Sequence, residues 1–153
     1  MRITELNQKP DIEKNVKLKE TYAQFEKLLV ELRKRDLPDG LVESVNKDIE
    51  ALNSASVSGD DLRKKINKTQ TRMIRLLEKK AKLVPKNYYR NIWMALGTAF
   101  GVPIGSGLGA SLGNMAYLGI GLPIGFAIGM AVGYGMDKKA YKEGRQLDIE
   151  IKL

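Results

Sequence analysis

Gly97-Thr-Ala-Phe-Gly101-Val-Pro-Ile-Gly105-Ser-Gly-Leu-Gly109-Ala-Ser-Leu-Gly113-Asn-Met-Ala-Tyr-Leu-Gly-Ile-Gly121-Leu-Pro-Ile-Gly125-Phe-Ala-Ile-Gly129-Met-Ala-Val-Gly133 is the stretch whose reading decides the fold. It lies inside a run from Asn91 to Met136, 46 residues without Asp, Glu, Lys or Arg, that holds twelve of the fifteen glycines. A bilayer core is crossed by about 20 helical residues, and one helix of this length would reach about 69 Å. Two spans fit, at 92–112 and 116–136, with Gly113-Asn114 as the turn. Backbone polar groups in hydrocarbon must be satisfied within the segment, so both spans are expected to be helical despite their glycines.

Gly97, Gly101, Gly105, Gly109 and Gly113 recur every four residues, and Gly121, Gly125, Gly129 and Gly133 repeat the register. That period stacks them on one face of each helix, where a second backbone can approach closely through dispersion and weak Cα–H···O contacts. Two partners are open for this face: the other span of the same chain, or neighbouring chains arranged in a ring. The stretch is also an internal repeat, 101–113 aligning with 121–133, with Pro103 and Pro123 in equivalent places. Each proline is expected to kink or locally relax its helix. Because the spans run in opposite directions, the repeat is inverted and the prolines fall at different depths.

The charges outside this run set an expected topology. Lys79, Lys80, Lys82, Lys86 and Arg90 precede it, Lys138, Lys139, Lys142 and Arg145 follow it, and the turn carries none. The positive-inside rule then places both termini in the cytoplasm, as an even number of spans requires. Trp93, Tyr88, Tyr89 and Tyr134 suit the inner interface and Tyr117 the outer turn. Met1 to Pro10 is polar and has no apolar core of a secretory signal, so targeting would fall to the hairpin itself.

Residues 1–90 hold 35 of the 44 charged side chains and read as a cytosolic helical region of three helices. The first is expected over 10–35, with Pro10 at its first position, Asp11 and Glu13 at its positive end, and a stripe of Leu18, Tyr22, Phe25, Leu29 and Leu32. Glu13 with Lys17 and Glu31 with Arg35 would pair along its outer face. The second covers 39–53 with Leu41, Val45, Ile49 and Leu52. The third starts at a capping box of Ser58 and Asp61, carries Leu62, Ile66, Thr69, Met73 and Leu76, and is ended or kinked by Pro85. Short connections favour an antiparallel bundle; a parallel coiled coil between subunits uses the same stripes. The fold class is thus all-α: a three-helix region, 1–90, a hairpin, 91–136, and a cytosolic tail, 137–153. The tail alternates apolar and polar residues from Leu147, a strand pattern that either frays as a terminus or pairs with a partner edge or another subunit.

The net charge of +8 is concentrated. Residues 62–90 carry eleven basic side chains against Glu78 alone. Arg72, Arg75, Lys79, Lys80, Lys82, Lys86 and Arg90 are candidates for contact with anionic lipid headgroups, where each contributes about 1 kcal/mol. The positive-inside signal with a solvated helix face explains part of the same charge. Nucleic acid is disfavoured, because no recognised binding motif accompanies the basic segment.

The chain has no Cys and no His, which removes disulfides, thiol nucleophiles, the usual zinc ligands and the commonest general base. The glycine-rich stretch lacks the Gly-Lys-Ser/Thr ending of a phosphate loop and the flanking features of a dinucleotide site. No catalytic constellation, metal site or cofactor is expected. Residues 97–133 resemble the glycine-zipper membrane segments of some bacterial channels, pore-forming toxins and small envelope proteins. The resemblance implies a homo-oligomer in a bacterial inner membrane, with its interface on the glycines, and in several members a pore. The alternative function is a non-conducting anchor or scaffold that recruits a cytosolic partner through the N-terminal helices.

Overall fold

The computed structural model describes residues 2–9, 12–13 and 15–151. Its helices are α1 (Val16–Arg33), α2 (Asp39–Asn53), α3 (Gly59–Ala81), α4 (Tyr88–Leu112) and α5 (Leu118–Lys142), with short strands β1 (Val84–Lys86) and β2 (Gln146–Glu150). The chain forms two compact units, one of Met1–Pro85 with Leu147–Leu153, the other of Lys86–Gln146.

In the first unit α1 begins at Val16, later than expected, because Asn15 provides the cap: its side chain accepts the Leu18 amide at 3.2 Å. Glu13 precedes the helix in a turn, so it makes no helical pair with Lys17, and Glu31 pairs with Lys34 at 2.5 Å. The expected roles of Pro10 and Asp11 lie outside the described residues. The α1 stripe is buried as read, with Leu28 added, and the α2 stripe gains Val42 and Asp48.

The α3 stripe is corrected by one position. Gln70 and Leu77 are buried where Thr69 and Leu76 were expected, because the inward face also takes Ile74 beside Met73. The Ser58 side chain makes no capping bond, so the capping box is not formed. Pro85 does not end the helix either. Lys82 does so in the left-handed conformation (φ 58°), its amide reaching the Glu78 carbonyl at 3.1 Å and that of Leu83 reaching Leu77 at 3.3 Å. Pro85 sits in β1, which pairs with β2. The strand pattern of the tail is therefore satisfied within the chain, and this small sheet is the departure from an all-α fold among the described residues. Val84, Leu147, Ile149 and Ile151 are buried. Beside the sheet, the Asp148 amide donates to Glu31 of α1 at 3.4 Å.

Residues 2–9 are extended and held by two asparagines of α2. Asn46 Oδ1 accepts the Thr4 amide at 2.8 Å while its Nδ2 donates to the Arg2 carbonyl at 2.9 Å. Asn53 repeats the arrangement on Asn7 and Glu5, at 2.9 and 3.0 Å. The registers match: three extended residues and seven helical ones each span about 10 Å. The Tyr22 hydroxyl donates to the Leu6 carbonyl at 2.9 Å, and burial, with Glu26 nearby, raises its pKa.

The second unit is the hairpin. Both helices outrun the uncharged segment: α4 starts at Tyr88 and α5 continues through Asp137 to Lys142, so 137–142 is helix rather than free tail. Gly113 closes α4 in the left-handed conformation (φ 67°), and Asn114 caps the following 3-10 turn by accepting the Ala116 amide at 2.9 Å. Both helices run unbroken through Pro103 and Pro123.

Candidate functional site

The glycines of the hairpin meet each other. A Cβ added at Gly101 would stand 2.6 Å from the Gly121 carbonyl oxygen, one at Gly105 2.9 Å from the Leu118 Cα, and one at Gly133 2.5 Å from the Arg90 Cα. Gly97 faces Gly125, and Gly129 faces the Trp93 carbonyl. Along this seam the two backbones are in van der Waals contact, a distance that alanine already prevents. Of the two partners open to the glycine face, the structure has the other span of the same chain, and both stripes are used in one contact. Gly109 packs beside Asn114 and Met115 at the closed end. Gly113 has open space around it and serves the turn, not the seam.

The open end is tied by a residue that sequence reading passed over. Asp137, buried at 6% exposure, accepts the amides of Tyr89 at 3.0 Å and Arg90 at 2.9 Å. These are first-turn N–H groups of α4, and Asn87, which precedes the helix, supplies no side-chain cap. A carboxylate from α5 thus caps α4 at its positive end. The available signal was that Asp137 is the only acid between the uncharged run and Lys142. Nearby, a hydrogen bond to Glu143 raises the Arg145 pKa, with Tyr89 adding to it.

Away from the seam the hairpin surface is apolar and exposed. Leu96, Phe100, Ile104, Leu108 and Leu112 form one row on α4, and Ile120, Ile124, Ile128 and Val132 one on α5. Both helices are long and apolar enough to cross a membrane, and only 17% of their most apolar stretches is buried. Opposite each glycine stripe runs a second row of small residues, all exposed: Ala95, Ala99, Pro103, Gly107 and Ser111 on α4, and Gly119, Pro123, Ala127, Ala131 and Gly135 on α5. Nothing approaches Gly107, Gly119 or Gly135. The prolines belong to this row, and neither has an N–H for the carbonyl four residues back, on Ala99 and Gly119 respectively.

The seven basic candidates are distributed over several elements. Arg72, Arg75, Lys79 and Lys80 lie on α3, Lys82 ends it, Lys86 is in β1 and Arg90 is in α4. Arg72 is paired, its Nε donating to Asp48 at 3.2 Å and its second nitrogen contacting the other carboxylate oxygen. Lys79 and Lys80 are exposed. Comparison of the chain with known families, characterised proteins and solved structures gives no match.

Proposed function

We propose that the protein is a homo-oligomeric membrane protein whose hairpins pack side by side through their outward small-residue rows into a pore-like ring. The row that runs through Gly107 on α4 and Gly119 on α5 carries this reading. In lipid, helices associate by close packing of small residues, because apolar surface alone gains nothing by leaving lipid. Each hairpin has such a row on α4 and another on α5, and a contact between unlike faces repeats head to tail until it closes. The carbonyls of Ala99 and Gly119 lie in the same rows, where a neighbour's Ser111 hydroxyl or glycine Cα–H groups can approach them. A lumen in this assembly is weakly polar. Thr98 and Ser106 already give their hydroxyl protons to the Met94 and Pro103 carbonyls, at 2.8 and 3.1 Å, and no charged side chain lies between Asn91 and Met136. The basic flanks support cytoplasmic termini, and the resemblance to glycine-zipper segments supports a bacterial inner membrane.

This shifts the expected oligomer contact from the seam glycines to the opposite face. Gly107→Leu, in open space in the isolated hairpin, is expected to reduce the oligomer to monomers in mild detergent while helicity is unchanged. Native mass measurement reads the first and circular dichroism the second. An oligomer that survives both Gly107→Leu and Ala127→Leu removes the interface. A second reading, a non-conducting anchor for the helical unit, is supported by the seam, which satisfies both glycine stripes within one chain. Dye release from liposomes separates the two: a tight bilayer at high protein density leaves the anchor.

A further inference from the structure

The groove between α2 and α3, about 720 Å³, is lined by Asp48, Lys65, Lys68, Thr69, Arg72 and Arg75, with other residues. The four cations stand at i, i+3, i+7 and i+10 of α3, which puts them on one stripe of the helix. Like charges at this spacing repel one another and weaken an isolated helix. Among the described residues no carboxylate pairs with Lys65, Lys68 or Arg75. Of the three acids on α3, Asp60 pairs with Arg63 and Asp61 with Lys64 on the first turn, and Glu78 lies outside the groove lining. One acid enters the groove, Asp48, whose side chain is 7% exposed, and it grips Arg72 through two guanidinium nitrogens. Arg72 itself is 67% exposed. This grip fixes the guanidinium plane and leaves three of its five N–H donors for something outside the protein.

We propose that this groove is a binding site for clustered phosphates, a ligand that carries several phosphate groups on a compact frame. A fixed fork at Arg72, flanked by ammonium groups at Lys65 and Lys68 and a second guanidinium at Arg75, matches several separate phosphates better than one carboxylate. The Thr69 hydroxyl adds a neutral donor. No aromatic ring lines the groove to stack a base, and no strand edge is there to pair with a peptide. The ligand is either a soluble polyphosphorylated metabolite or the headgroup of a phosphorylated lipid, which share this chemistry.

The test uses the full chain in phosphatidylcholine nanodiscs titrated with inositol hexakisphosphate in a calorimeter. Saturable one-to-one binding is expected. Lys68→Gln with Arg75→Gln should weaken it about thirtyfold, the effect of two phosphate-facing cations. Lys17→Gln with Lys19→Gln removes the same charge from exposed positions of α1 outside the groove and should change it less than threefold, by the screening of exposed charges. Equal weakening by both pairs, or no saturable binding, overturns the site. Repeating the titration with phosphatidylinositol bisphosphate in the nanodisc identifies the source. Loss of added-ligand binding assigns the groove to the headgroup and retained binding assigns it to the soluble form, and each result upholds the site.

Discussion

At the scale of single residues the seam is decided by a missing methyl group. Gly101 and Gly107 are six residues apart on the same helix, yet a Cβ at Gly101 would lie 2.6 Å from a backbone oxygen and one at Gly107 would meet nothing. Gly101→Ala is expected to force α4 and α5 apart and cost about 2 kcal/mol, by the penalty for overpacking. Gly107→Ala should be neutral or slightly stabilising within the hairpin through helix propensity. Unfolding in mixed detergent compares the two, and an equal response would deny the seam its role. Tyr22 offers a second test. Its raised pKa means that the folded state prefers the neutral phenol. That contribution is complete below the unfolded value of about 10 and is lost as the pH rises through the higher folded value. The stability difference between the native chain and Tyr22→Phe should therefore narrow above about pH 10; a constant difference would mean that Tyr22 titrates alike in both states.

At the scale of elements, the extended segment 2–9 depends on α2 through a pair of amides rather than a buried face. Ile3, 9% exposed, is its one buried side chain among the described residues. Asn46→Ala and Asn53→Ala each remove two hydrogen bonds, for a loss of about 2 kcal/mol per asparagine. Amide exchange at Thr4 and Asn7 should accelerate strongly in the double variant, while that of α1 and α3 changes little; protection that persists at Thr4 would show that other contacts hold the segment. Much of this level was legible in sequence. The apolar stripes located α1, α2 and α3, and the uncharged run located α4 and α5. The failures have physical causes. Strict spacing points to Thr69 and Leu76, but the packed face of α3 is broad enough to turn Gln70 inward, its Nε2 without a hydrogen-bond partner. Side-chain clasps such as those of Asn46, Asn53 and Asp137 have no period to read, because each joins positions more than 40 residues apart.

At the scale of the whole molecule, the glycine register foretold close packing but left its partner open, since a bare helix face is the same whether the neighbour is in the same chain or another. The closed hairpin leaves the opposite row exposed. The small sheet was likewise half legible: the alternation after Leu147 signalled a strand, while β1 is three residues long and contains a proline, too little for any pattern.

That sheet also fixes an order of events during synthesis. The first 85 residues leave the ribosome carrying Leu83 and Val84, which are buried in the finished unit, but β2 and the buried Leu147, Ile149 and Ile151 emerge only after the whole apolar hairpin has been made. The helical unit is finished last although it is begun first. Completion of its core thus waits for synthesis of the whole intervening segment, and a chain that stops short of β2 leaves β1 without its partner strand.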